Sequence, residues 1–214
     1  MPDPVPPLSG RRAQAARNDG TILAAARDVF VARPDAPVAA VAQAAGVGIS
    51  ALYRRYPSKE ALLATLCLDG LERFVAVAHR ALEVDDPWDS FETFLRGVVD
   101  ADVHSLTVRL AGLFTPTPEH DALAREAGGL AARILRRAQE AGSVRTDVAE
   151  TDLPLIYEQL AAIRLGDPER TAGLRRRCLD VQLGGLRARA AEDGPLGGTP
   201  PEPAELGARW IPRG

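Results

Sequence analysis

The sequence of 214 residues has only two cysteines and no long apolar run. Cys67 and Cys178 lie far apart and have no neighbours at the spacing of metal ligands, so neither a disulfide framework nor a metal site is expected. No apolar stretch reaches the roughly 18 residues that a bilayer crossing requires, and residues 1–8 lack the features of a signal peptide. We therefore expect a cytoplasmic protein that needs no cofactor and has no membrane partner.

Charge is distributed unevenly around the net value of −3. Residues 1–60 contain eight Arg or Lys and five acidic residues, so they carry a charge of +3 and the remainder of the chain carries −6. Sequence-independent DNA affinity comes from Lys and Arg that neutralise phosphates. A small basic part beside a larger acidic part is therefore consistent with a nucleic-acid partner for the first sixty residues.

Apolar residues recur at helical spacing from about residue 15 to residue 192, without the alternation that is typical of strands. Residues 1–10 and 194–214 are rich in proline and glycine, so both ends are expected to be loosely attached. The pattern predicts an all-α protein of nine helices. Their starts or centres are placed at Asn18 or Asp19, Pro37, Ile49, Ser58, Asp86-Pro87, the residues before Thr115, Leu123 to Ala138, Thr151 or Asp152, and Asp167-Pro168.

The most informative segment, residues 38–60, is predicted to form two short helices joined by a tight turn. Gly46 can adopt a positive φ at the end of the first helix, and Val47 can fill the space between the two helices. Gly48 would let the second helix, Ile49–Arg55, begin without a side-chain clash. That helix is then free to enter a major groove of DNA, which is wide enough to admit one.

Residues on and beside this second helix are predicted to contact DNA. Ile49, Ser50 and Arg54 would face bases or phosphates while Leu52 turns inward. Tyr53, Tyr56 and Lys59 carry hydroxyl and ammonium donors, which suit contacts with phosphate groups. Arg11, Arg12 and Arg17 either lie along the DNA as a basic arm or form a solvated tail. The predicted contact set is Gly48, Ile49, Ser50, Ala51, Tyr53, Arg54, Tyr56, Lys59 and Arg17.

This segment resembles the signature of the TetR family of transcriptional regulators, over roughly residues 18–66. The family's usual threonine at the start of the first short helix is Pro37 here, and its usual serine after Gly-Val is Gly48. Both departures concern helix capping rather than the motif itself. The matching positions are Val41-Ala42, Ala45-Gly46-Val47, Leu52-Tyr53, Tyr56 and Lys59-Glu60.

The resemblance implies a two-domain, nine-helix, TetR-like fold and a regulator that is not an enzyme. Residues 1–14 would be a flexible N-terminal arm and residues 15–60 the helix-turn-helix domain. Residues 61–192 would bind an effector and dimerise, and residues 193–214 would be a tail. The function implied is that of a repressor, released from a palindromic operator by a small molecule. The implied partners are double-stranded DNA, an unidentified effector and a second copy of the chain.

The resemblance also implies an effector cavity among the middle helices and a dimer interface in the last two. For the cavity, inward-facing aromatics and a histidine are the candidates, although ordinary core packing is the competing explanation for each aromatic: Trp88, Phe91, His104, Phe114 and Tyr157, with Arg109 or Gln159 as a further polar member. For the interface, the candidates form two apolar stripes: Leu153, Ile156, Leu160, Cys178, Val181 and Leu186.

Two other functions, an oxidoreductase and a helical adaptor, are alternatives to a DNA-binding regulator. Gly46-Val-Gly48-Ile-Ser-Ala51 satisfies the loose dinucleotide fingerprint of oxidoreductases, and Asp69 follows at about the distance of a ribose-binding acid. That fingerprint requires a preceding strand and a parallel sheet, whereas residues 38–45 have helical spacing. A helical adaptor without DNA binding is the second alternative.

Overall fold

The computed structural model describes residues 10–104, 110 and 112–211. Within those ranges every regular element is helical, apart from one isolated bridge between Val144 and Arg187. The all-α prediction is confirmed, while the predicted sixth helix falls mainly on residues 105–109 and 111, outside the described part. The helices are α1 (Gly10–Ala32), α2 (Val38–Ala44), α3 (Ile49–Arg55), α4 (Lys59–Leu82), α5 (Pro87–Asp100), α6 (Pro118–Glu140), α7 (Asp152–Ala162), α8 (Pro168–Leu186) and α9 (Pro203–Gly207), with 3-10 turns at Ala188–Asp193 and Ala208–Trp210.

Three helix starts show the side-chain caps that the sequence predicts. The Ala61 N–H donates to Ser58 Oγ over 3.0 Å at the start of α4. Asp86 and Asp167 accept from backbone N–H groups three residues later, over 2.8 and 2.7 Å. A proline follows each of these aspartates, at a position where the missing N–H costs no hydrogen bond.

The two ends of the chain differ from the prediction. Helix α1 begins at Gly10 rather than near Asn18, so residues 10–14 are helical and not a flexible arm. The segment Arg11–Ala16 consists of strong helix formers, which explains the extension. At the other end, Pro203 starts α9, and the Glu202 N–H donates to Glu205 Oε2 over 2.7 Å. Pro203, one of the prolines that predicted a loose tail, therefore marks a helix start instead.

The chain forms two compact units, Met1–Leu62 and Leu63–Gly214. The first unit packs α1, α2 and α3 around fully buried side chains that include Phe30, Val41 and Leu52. The second unit has a larger core built from α4 to α8. None of the helices described is long and apolar enough to cross a membrane. Members of the larger core are Phe91, Phe94, Leu95, Val98, Ile134, Leu153, Leu160, Leu179 and Leu186.

Helices α4 and α5 approach closely at Gly97. A Cβ atom added there would lie 2.6 Å from Cγ1 of Val77 on α4. The absence of a side chain at this position therefore sets the distance between the two helices, because any other residue would clash with the buried valine.

Candidate functional site

The connection between α2 and α3 is a tight turn fixed by backbone hydrogen bonds. The Val47 N–H donates to Ala42 O over 3.0 Å, and the Gly46 N–H donates to Gln43 O over 3.2 Å. These two bonds form a Schellman motif, in which the residue after the helix adopts a left-handed conformation. Gly46 has a φ of +65°, as the sequence predicts. The turn therefore fixes the direction in which α3 leaves α2.

Gly48 has a different role from the predicted one. Its φ of −66° and ψ of 138° are accessible to any residue, and a Cβ atom added there would meet no atom within 4 Å. The expectation that glycine avoids a clash at this position is wrong. Gly48 instead leaves the start of α3 without a side-chain cap, where the related signature has serine.

One face of α3 is exposed. Leu52 is completely buried, whereas Ile49 and Tyr53 are 39% and 46% exposed. Ser50, Ala51 and Arg54 are also exposed. The structure therefore brings most of the predicted DNA-contacting residues together on one accessible helical surface, with Leu52 turned inward as expected.

Tyr56 and Lys59 lie outside that surface, and their phosphate contacts remain predictions. Tyr56 is 5% exposed. The Lys59 ammonium donates to Ala36 O over 2.9 Å and to Pro34 O over 3.1 Å, and Nζ lies 5.2 Å from the centre of the Phe30 ring. Two of its three donors therefore hold the connection between α1 and α2, which gives Lys59 a structural role within the fold.

An ion pair that the sequence pattern did not reveal joins α1 to the end of α3. The Arg55 guanidinium donates to the Asp19 carboxylate. The two residues are 36 positions apart, and no local spacing rule connects them. Arg17 also lies on α1, with its side chain outside the described part of the structure.

The second unit contains a cavity of about 270 Å³ with a mainly apolar wall. Two predicted residues, His104 and Tyr157, line this cavity, and their ring centres lie 4.7 Å apart. Burial, and after it the positive charge of Arg209, lowers the pKa of His104 to about 4. Burial raises the pKa of Tyr157 well above its usual value. At neutral pH both rings are therefore uncharged and available for hydrogen bonds.

A second cavity of about 340 Å³ lies beside the first, and Leu71 and Ala124 line both. Phe114 lines this cavity as predicted. His120 also lines it, but the Thr117 N–H donates to His120 Nδ1 over 3.2 Å, which leaves Nε2 to donate to Ala64 O over 2.9 Å. Both ring nitrogens therefore have partners within the chain.

The C-terminal segment closes part of both cavities, although the sequence predicted a loose tail. Leu206 lines the first cavity, and Gly207 and Trp210 line the second. The Trp210 ring packs edge-on against Phe114 at a centre distance of 6.0 Å, and Arg209 forms an ion pair with Glu158. Composition could not reveal these contacts because they join residues distant in the sequence.

Trp88 and Phe91, both predicted to line the effector site, line none of the described cavities. Phe91 is fully buried in the core. The Trp88 indole N–H donates to Glu92 Oε2 over 2.7 Å, and the Arg187 guanidinium lies 3.4 Å from the ring centre. Helical periodicity identifies an inward face, but it does not distinguish packed core from a cavity wall.

The two further polar candidates for the cavity do not contribute to its described wall. Arg109 lies outside the described residues. Gln159 lines neither cavity, and its side-chain oxygen accepts from Gln182 Nε2 over 3.0 Å. Of the predicted effector residues, the structure therefore places His104 and Tyr157 at one cavity and Phe114 at the other.

The predicted dimer-interface residues divide into two groups. Leu153, Leu160 and Leu186 are buried in the core of their own chain, so a partner subunit is not needed to cover them. Ile156 is partly buried against the same core. Cys178 is exposed and Val181 is 75% exposed, both on α8. Only these last two present an exposed surface to a partner.

The structure around this turn also excludes the alternative of a dinucleotide-binding fingerprint. Gly46 and Gly48 lie between two helices, and no strand precedes them in residues 10–45. The fingerprint requires a strand before the glycines. The interpretation of this segment as an oxidoreductase fingerprint is therefore wrong.

Two family models match the chain. The model described as bacterial regulatory proteins of the tetR family matches residues 22–66. The model described as the C-terminal domain of SbtR-like transcriptional regulators matches residues 86–188. Together they cover both the helix-turn-helix unit and the larger helical unit.

Solved structures are similar over most of the chain. A TetR transcription regulatory protein from Mycobacterium vanbaalenii is 27% identical, covers 82% of this chain and 98% of its own, and has a TM-score of 0.58. The TetR family regulator PfmR from Thermus thermophilus is 26% identical, with coverages of 78% and 98% and a TM-score of 0.55. A TetR regulator from Streptomyces coelicolor is 26% identical, with coverages of 79% and 98% and a TM-score of 0.54. A comparison with curated proteins finds no match.

Proposed function

Because the chain belongs to the TetR family of transcriptional regulators, we propose that it is a repressor that binds a palindromic operator as a homodimer and is released by a small-molecule effector. The observation that supports DNA reading most directly is the exposed face of α3. Ile49 and Tyr53 project from a helix whose direction is fixed by the turn at Gly46, while Leu52 anchors it. A rigid helix with an exposed polar and apolar face suits a major groove.

Charge supports the same assignment. Arg54 and Arg55 lie in the last turn of α3, next to the exposed face. The first sixty residues carry +3 within a chain of net charge −3. A net positive charge in the first sixty residues and a net negative charge in the remainder favour phosphate contacts by the former and discourage nonspecific DNA contacts by the latter. Such a regulator acts on chromosomal DNA in the cytoplasm, and its function is regulatory rather than catalytic.

Two adjacent cavities in the second unit support the effector half of the proposal. Their volumes, about 270 and 340 Å³, lie just below and just above the lower limit of the roughly 300–1,000 Å³ typical of small-molecule sites. The effector would act by binding more tightly to the conformation that does not bind DNA. The extent of release is then limited by the ratio of its affinities for the two conformations.

Selection of bound fragments from a random DNA library tests DNA recognition and two-fold symmetry together. We expect enrichment of two inverted half-sites whose centres are separated by about 34 Å, one helical turn. A single half-site would contradict the dimeric operator, and no enrichment would contradict the regulator itself. Substitution at Ile49 or Ser50 should change the preferred half-site, whereas substitution of Ser143 in the other unit should not.

Lys59→Met is expected to weaken DNA binding by loosening the fold rather than by removing a phosphate contact. The change keeps the apolar stem but removes the donors to Ala36 O and Pro34 O. Because both carbonyls lose a charged donor, the free energy of unfolding of this unit should fall by about 2 kcal/mol. Amides of α2 and α3 would then exchange their hydrogens about 30-fold faster.

Arg54→Ala is the matched comparison, because Arg54 is exposed on α3. It should leave the exchange rates unchanged and reduce the slope of log affinity against log salt by about one. In contrast, Lys59→Met should keep the wild-type salt slope. A reduced slope with unchanged exchange in Lys59→Met would instead support the phosphate contact predicted from the sequence.

A further inference from the structure

We propose that the cavity beside Tyr157 binds an uncharged ligand whose apolar body ends in a hydrogen-bond acceptor, such as a ketone, ester or amide carbonyl. This inference rests on the proposed effector-responsive function and defines the chemical class of the effector. Three features support it: a buried hydroxyl, without a partner among the described residues, on a tyrosine that lines the cavity; no positive charge among the described lining residues; and a mainly apolar remainder.

The Tyr157 hydroxyl is buried without a partner. The side chain is 2% exposed, and Oη makes no hydrogen bond with any residue in the described part of the chain. A buried polar group without a partner is unfavourable, and native proteins retain few of them. Because burial raises the pKa of Tyr157, the phenol keeps its proton and acts as a donor. A ligand carbonyl would satisfy it.

The cavity wall disfavours a ligand with a negative charge. Among the described residues that line it there is no Lys or Arg, and the only acid is the exposed Glu150. His104 is neutral at physiological pH, since its pKa lies near 4. Arg209 is near enough to influence His104, but its guanidinium is paired with Glu158. A carboxylate would therefore enter without a counter-charge.

The rest of the cavity wall is mainly apolar, and the cavity is small. Phe74, Leu71, Val103, Ala127, Leu153 and Leu206 surround the space next to the His104 and Tyr157 rings. Its volume of about 270 Å³ suits a compact ligand with few polar groups. His104 and Tyr157 would fix the orientation of such a ligand, while the apolar residues bury its apolar surface.

Tyr157 also borders a much smaller void of about 10 Å³, shared with Arg175 and Asp102. A space of this size holds at most about one water molecule. If such a water satisfied the hydroxyl, a ligand in the larger cavity would gain nothing from it. The experiment must therefore measure the contribution of the hydroxyl to ligand binding directly.

Three probes of nearly equal shape provide that measurement with the full-length protein: acetophenone, which carries a carbonyl; cumene, which has none; and benzoate, which is an anion. Dissociation constants are measured by NMR titration at neutral pH for the wild type and for Tyr157→Phe. We expect Tyr157→Phe to weaken acetophenone binding about fivefold and to change cumene binding by less than twofold. Benzoate should bind at least tenfold more weakly than acetophenone.

Tyr53→Phe is the matched control, because it removes an exposed phenol hydroxyl from the other unit and should leave both neutral probes unaffected. Equal effects of Tyr157→Phe on acetophenone and cumene would overturn the proposal. The proposal would also be overturned if benzoate bound as tightly as acetophenone, or if none of the three probes bound. DNA selection with the wild-type protein separates the two proposals: a protein that selects an operator but shows no hydroxyl-dependent binding refutes the ligand class alone. One that selects no DNA refutes the regulator.

Discussion

Arg175→Ala is expected to lower the free energy of unfolding by about 3 kcal/mol. Arg175 is one of the few buried charged residues, with 7% exposure. Its Nη1 donates to Asp102 Oδ1 over 2.6 Å, Nη2 to Ala161 O over 3.1 Å, and Nε to Ile163 O over 3.3 Å. One side chain therefore connects α8 to the end of α7 and to the segment after α5.

Stability falls because three acceptors, Asp102 Oδ1, Ala161 O and Ile163 O, lose their donor together. Ala161 and Ile163 lie at the C-terminus of α7, where carbonyl groups have no partner within the helix. Asp102 has a φ of +48°, a conformation that non-glycine residues rarely adopt, so its backbone is strained and depends on surrounding contacts. Removing the guanidinium also leaves a cavity in a buried region.

Arg176→Ala provides the control from the adjacent position. Arg176 Nε donates to Asp100 Oδ1 over 2.7 Å, nearly as short as the contact between Arg175 and Asp102. Its side chain is 56% exposed and that of Asp100 is 48% exposed, so solvent screens the pair. We expect a loss below about 1 kcal/mol. Urea unfolding of both variants at one fixed protein concentration decides the matter, and similar losses would contradict the role given to Arg175.

The elements that sequence reasoning placed well are those fixed by local chemistry. Helix α3 has the predicted bounds, Ile49 to Arg55, because a glycine turn precedes it and Pro57 follows it. Ser58, Asp86 and Asp167 cap the helices that they were predicted to cap. In each case the relevant atoms lie within about four residues of one another, so the sequence contains the whole interaction.

The candidate sites were predicted less completely because they depend on contacts between distant residues. Lys59 is basic and follows α3, which favours a phosphate contact, yet two of its three donors bind carbonyls 23 and 25 positions earlier. Leu153 and Leu160 have the spacing of an interface stripe, but the same spacing buries them in their own core. Periodicity defines which face of a helix is covered and leaves open what covers it.

His104 should make stability depend on pH between about 4 and 6.5. In the folded chain its pKa is about 4, lowered from the ordinary 6.5 by burial and then by the positive charge of Arg209. Between these values the unfolded chain binds a proton that the folded chain excludes, so stability decreases as the pH falls. The ordinary relation between pKa shift and free energy gives a loss of up to about 3 kcal/mol between pH 7 and pH 4.

Comparison with His104→Phe isolates this contribution, because phenylalanine keeps a ring against Tyr157 and cannot titrate. Carboxylates titrate in both proteins and cancel in the difference, so the wild type should lose stability relative to the variant as the pH falls through this window. His79→Gln should follow the wild type, since His79 is exposed beside Glu126 at 3.6 Å. Parallel stability curves for the wild type and His104→Phe would mean that His104 accepts its proton in the folded state. The cavity would then become positively charged in mild acid and favour anions, which connects this measurement to the ligand class.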